Sequence, residues 1–138
     1  VALTGQEIIE EARSWVGVPW RLRGRDREGV DCVGLGAVVA RAKNIDFTDD
    51  LRYGEFFNTA HMLDVLLETM VEVPRETMQT GDVLILDVRG ERQHTAFYDK
   101  EANTIIHATV IYRKVVEHTF NDEWRAKVRK VLRVKELA

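Results

Sequence analysis

The chain has 138 residues, 45% hydrophobic and 31% charged, with a formal net charge of −3. That length suits one domain, expected over residues 1–138, and the weak negative charge speaks against nucleic acid or an anionic membrane surface as partner. No apolar run approaches the ~20 residues of a bilayer span, and the single cysteine excludes an internal disulfide. The opening Val1-Ala2-Leu3-Thr4 lacks the basic flank and apolar core of a secretory signal, so no export address is expected.

Thr4-Gly5-Gln6-Glu7 has the form of a capping box. Ile8, Ile9, Ala12, Trp15 and Val16 follow at helical spacing, which predicts a helix over about 5–16, ended by Gly17 and Pro19. Residues 17–30 read as a loop carrying Arg21, Arg23, Arg25 and Arg27. These guanidinium groups could grip a carboxylate bidentately or only keep the loop soluble. A second helix is predicted from Cys32 to Lys43, with Asn44 as its C′ residue. Gly34 and Gly36 are poor helix formers and make sense if another backbone packs closely there.

Residues 45–60 read as irregular, with Tyr53, Phe56 and Phe57 to bury. A third helix is predicted over about 59–70, capped by Asn58, with His61 in its first turn as a surface or satisfied histidine. After Pro74 the pattern changes to strands: Asp82–Val88, Gln93–Tyr98, Thr104–Ala108 and Arg113–Thr119. The first two short connections, Arg89-Gly90-Glu91 and Lys100 to Asn103, imply antiparallel neighbours. One helical turn is expected at Asn121–Arg125, then a last strand over Val128–Lys135 with Val128, Leu132 and Val134 on one face. The basic residues of that strand suit an edge that resists pairing better than an anion site. Together these elements predict an α+β fold, N-terminal helices on an antiparallel sheet of about five strands.

The chemistry centres on Gly29-Val30-Asp31-Cys32-Val33-Gly34-Leu35. Asp31 is a good N-cap, which puts Cys32 in a helix's first turn, where free amides and the dipole favour negative charge. Thiols there can ionise near neutrality, although many cysteines are plain buried hydrophobes. His94 and His107 fall on neighbouring predicted strands, and a hairpin lets both rings point the same way. A helix N-terminus packed on that face would bring Cys32 to His94, with His107 orienting the His94 ring. A thiolate–imidazolium pair between Cys32 and His94 is the expected resting state. A zinc site is the competing reading, since one cysteine and two histidines are acceptable ligands, but no two of them have local ligand spacing.

The sequence resembles the NlpC family of cell-wall cysteine peptidases, which have a compact papain-like fold. The resemblance runs through Pro19-Trp20, Gly24 and Asp31-Cys32-Val33-Gly34-Leu35, then Gly81-Asp82-Val83-Leu84-Ile85 with His94, then Ile106-His107-Ala108. It implies catalytic roles for Cys32, His94 and His107, substrate contacts at Asp31, Trp20 and Arg23, and no cofactor. It further implies a peptidoglycan stem-peptide substrate, cut at the γ-D-glutamyl–diaminopimelate bond. Trp20 stands where the family has tyrosine, and Val33 where serine is usual. Val33, the arginine-rich loop and the ending His118 to Arg125 look most like the phage-tail and gene-transfer-agent branch. That branch implies assembly in a host cytoplasm, tail-tip or hub proteins as partners, and action on the periplasmic wall. A structural tail-tip component with little turnover is the alternative.

Overall fold

Thr4 caps the first helix as the capping box predicts, its hydroxyl accepting the Glu7 N–H at 3.2 Å. Helix α1 spans Gly5–Arg13 and stops short of the expected 16, because residues 14–17 turn the chain toward Pro19. A computed structural model describes residues 2–53, 59–88 and 91–137 of the chain. The arginine-rich loop contains a small antiparallel hairpin, β1 (Arg25–Asp26) and β2 (Gly29–Val30). Helix α2 (Cys32–Ala42) follows at once. Asn44 then adopts the left-handed conformation expected of a C′ residue, φ 55°.

Helix α3 (Thr59–Leu67) ends earlier than expected, and Met70–Val73 forms strand β3 in its place. The Asn58 cap, Phe56, Phe57 and the Arg89-Gly90 turn lie outside the described residues, as does the side chain of His61. Strands β4 (Val83–Val88), β5 (Glu91–Asp99), β6 (Thr104–Thr109) and β7 (Lys114–Thr119) follow. The turn α4 (Asp122–Arg125) is capped by Asn121 and leads into β8 (Val128–Val134). Among the described residues these strands form a six-stranded sheet of order β3-β8-β4-β5-β6-β7, every neighbour antiparallel. The added strand is β3, whose four residues carry too short a pattern to separate from a helix end.

Two expectations about β8 need correction. It is interior to the sheet, between β3 and β4, so its cations do not guard an edge. Arg133 instead forms a buried pair with Asp82, at 2.8 and 2.9 Å. Val128 does not share a face with Leu132 and Val134. The β4–β8 register shifts between Ile85 and Leu86, and a one-residue shift turns the following side chains to the opposite face.

The sheet separates two apolar clusters. Helices α1 and α2 pack with Ile85, Phe97, Ile106, Ala108, Val115 and Leu132 on one face. Leu84, Leu86, Ala96, Tyr98, Ile105 and Phe120 gather on the other, with Trp124 of α4 against them. The Gly81-Asp82 pair locks α1 to the sheet. Gly81 has φ 94°, and a Cβ on it would stand 2.6 Å from the Gly5 Cα. Among the described residues no helix is long and apolar enough to cross a membrane.

Candidate active site

The Asp31 carboxylate organises the entrance of α2. One oxygen accepts the Gly34 N–H at 2.7 Å and Arg25 Nη1 at 3.3 Å. The other accepts the Arg23 N–H at 2.7 Å and the Tyr53 hydroxyl at 2.6 Å. Arg23 reaches this position with φ 59°, a left-handed turn that aims its amide at the carboxylate. Burial, then the adjoining Asp31 charge, pushes the Tyr53 hydroxyl well above its usual range, so it stays a donor. Asp31 is therefore a helix cap and the hub of a buried network.

The cap holds Cys32 in the first turn of α2, 3% exposed. Gly34, two residues on in the same turn, lies against the loop: a Cβ there would stand 2.2 Å from the Gly24 carbonyl oxygen. The expected close backbone approach holds at Gly34 but not at Gly36, whose nearest neighbour is the Phe47 ring at 3.7 Å.

His94 and His107 meet as the strand pattern predicts. His94 Nε2 lies 2.5 Å from His107 Nδ1, the rings are T-shaped, and both residues are 1% exposed. The helix does not pack on their face. Phe97 joins the cluster of α2, whereas Ala96 and Tyr98, which alternate with it and lie on the side of His94, belong to the opposite cluster. Among the described residues the β5–β6 ladder runs over Phe97–Asp99 and Thr104–Ile106, while β6 continues past it paired with β7. At His94 the two strands meet through their imidazole rings, beyond the end of that ladder. The first turn of α2 meets the sheet there, with the Thr95 hydroxyl donating to the Cys32 carbonyl at 3.1 Å.

Of the other expected residues, Trp20 is half-buried against the cluster that contains Cys32, its backbone N–H donating to the Arg113 carbonyl at 2.9 Å. Arg23 is exposed and donates to the Tyr53 carbonyl at 2.6 Å. Arg25 is the arginine the network draws inward, bound to Asp49 and to the Tyr53 hydroxyl. It grips a carboxylate as the loop arginines were expected to be able to, but the carboxylate is the protein's own Asp49. Sequence reasoning gave Tyr53, Thr95 and His118 no place at the site. A third imidazole stands behind His107: its Nε2 is 2.8 Å from His118 Nε2, and Trp124 packs on both rings. Its signal was the hairpin register, since His107 pairs with Val116 and puts residue 118 on the same face one diagonal away. Among the described residues no group of three His, Cys, Asp or Glu side chains is disposed to hold a metal ion.

The model of the NlpC/P60 family matches residues 17–133, most of the chain, including Cys32, His94, His107 and His118. The chain belongs to the NlpC/P60 family. Its fold is that of solved NlpC/P60 structures. The NlpC/p60 domain of peptidoglycan hydrolase SagA superposes with a TM-score of 0.68 at 21% identity, over 94% of this chain and 98% of that one. Peptidoglycan hydrolase RipB from Mycobacterium tuberculosis gives 0.65 at 18%, over 97% and 65%. NlpC2 from Trichomonas vaginalis gives 0.72 at 17%, over 94% and 46%. The chain thus spans nearly all of the SagA domain but less than two thirds of the other two. No curated protein matches the chain.

Proposed function

We propose that this NlpC/P60 chain, acting as one domain over residues 1–138, is a cysteine endopeptidase that cleaves peptidoglycan stem peptides. The observation that carries this reading is the placement of Cys32 at a capped helix start beside strand β5, where His94 contacts His107. The SagA and RipB relatives, both described as peptidoglycan hydrolases, supply the substrate class.

In this reading the Cys32 thiol gives its proton to His94 and the sulfur attacks the scissile carbonyl carbon. The Cys32 N–H, one of the first-turn amides without a helical partner, faces the developing oxyanion. The C–N bond breaks as His94 protonates the leaving amine. Water, deprotonated by His94, then attacks the thioester, and the C–S bond breaks to restore the thiol. His107 holds the His94 ring. Trp20 and Arg23 border the peptide. A substrate amine reaches Asp31 only by displacing one of its four donors.

The bond we assign is γ-D-glutamyl–diaminopimelate, following the motif resemblance. The same resemblance, in Val33 and the His118–Arg125 ending, supports a place on the tail of a phage or gene-transfer agent. There the protein would meet tail-tip proteins, assemble in the host cytoplasm and open the periplasmic wall. Digestion of purified muropeptides, with products weighed by mass spectrometry, tests the bond. Release of a fragment beginning at diaminopimelate supports it, and cleavage elsewhere in the stem overturns it.

A further inference from the structure

We propose that His118 is a positioning residue: anchored on the Thr119 carbonyl, it fixes the order of protons along His107 and His94 so that His94 Nδ1 is the proton acceptor. This deepens the peptidase reading and rests on it for the role of His94.

The order follows from one atom that can only accept. His118 Nδ1 lies 3.0 Å from the Thr119 carbonyl oxygen. A carbonyl has no proton to give, so His118 Nδ1 carries the hydrogen. In a neutral ring the other nitrogen, Nε2, is then the acceptor. It lies 2.8 Å from His107 Nε2, which must therefore be the donor. Neutral His107 is left with an acceptor at Nδ1, and His94 Nε2, 2.5 Å away, donates to it. Before it takes the thiol proton, His94 accordingly has its hydrogen on Nε2 and its lone pair on Nδ1; once protonated it carries both hydrogens and still donates from Nε2 to His107. Reverse any one bond and the lone pair moves to the nitrogen that faces His107, where it cannot take a proton from a thiol. Burial, then the His94 and His118 rings on either side, holds His107 neutral, as the relay requires. The Trp124 ring packs at 4.8 Å from the His118 ring and at 5.3 Å from that of His107, limiting how far either can rotate.

Two substitutions separate the relay from simple packing. Glutamine at 118 offers an acceptor oxygen to His107, whereas lysine offers only donors. The experiment is ¹⁵N NMR of the imidazole nitrogens at roughly pH 8, above the ordinary histidine value of about 6.5, with kcat and KM on a muropeptide. In the wild type and in His118→Gln, the His107 proton is expected on Nε2, with kcat within about threefold between them. In His118→Lys it moves to Nδ1, and kcat falls by roughly 10- to 100-fold with KM little changed. A His107 proton on Nδ1 in the wild type, or one that stays on Nε2 in His118→Lys, overturns the proposal. The NMR result needs no turnover, so an inactive wild type would count against the peptidase reading and leave the proton order to be judged by itself.

Discussion

The Nε2 of His94 and the Nδ1 of His107 are 2.5 Å apart inside the protein, with neither residue more than 1% exposed. Burial, then the flanking imidazoles of His94 and His118, pushes His107 from the ordinary 6.5 down to about 2. Between those two pH values the unfolded chain holds a proton at residue 107 that the folded chain does not. Acid therefore favours unfolding: this group costs nothing above about pH 6.5 and progressively more as pH falls toward 2. Its slope is about 1.4 kcal/mol per pH unit. Glu117, held below its ordinary 4.5 by its hydrogen bonds to Arg13, acts in the same direction only at lower pH. Urea denaturation between pH 6.5 and 4.5 should show His107→Gln losing stability more slowly than the wild type.

Asp31→Ala should cost about 3 kcal/mol of stability. The carboxylate caps α2, accepts four donors and pairs with Arg25, whose side chain is 14% exposed. Removing one member of a buried pair leaves the other charge uncompensated, at a cost of roughly 3–5 kcal/mol, and Asp49 still holds Arg25 to soften it. Denaturation midpoints at neutral pH give the value. A loss no larger than the ~1 kcal/mol of a simple cap would show that the network adds little.

Gly34→Ala should destabilise the fold although alanine is favoured over glycine in helices by about 1 kcal/mol. The added methyl would meet the Gly24 carbonyl at 2.2 Å and the Asp31 carboxylate at 3.0 Å. Gly36→Ala is the control, since its methyl finds only ordinary contact with Phe47 at 3.7 Å. Thermal melts should order the proteins Gly36→Ala, wild type, Gly34→Ala from most to least stable.

Much of this site was legible in the sequence, for identifiable reasons. Asp31 and Cys32 are adjacent in the chain, so a helix start alone relates them. His94 and His107 lie on strands with a short connection, so period-2 alternation puts their rings on one face. The side on which α2 packs was not legible, because period-2 alternation sorts side chains onto two faces without saying which one a helix covers. The meeting of Tyr53 and Arg25 was hidden for a similar reason. They lie 28 residues apart, with all of α2 between them and Tyr53 in an irregular segment, where tertiary packing rather than periodicity chooses partners. The face of Val128 was misread because a bulge shifts the register without leaving a glycine or proline to signal it.

Release of stem peptides from purified sacculi, followed over time for the wild type and for Cys32→Ala, bears on the peptidase reading most directly. Cys32 is nearly buried within a helix that alanine suits at least as well, so the variant should fold normally. The wild type is expected to release peptides and Cys32→Ala to lose at least about 10³-fold in rate, since no other group here can form the thioester. Equal release by both proteins, or none by the folded wild type, would contradict the reading.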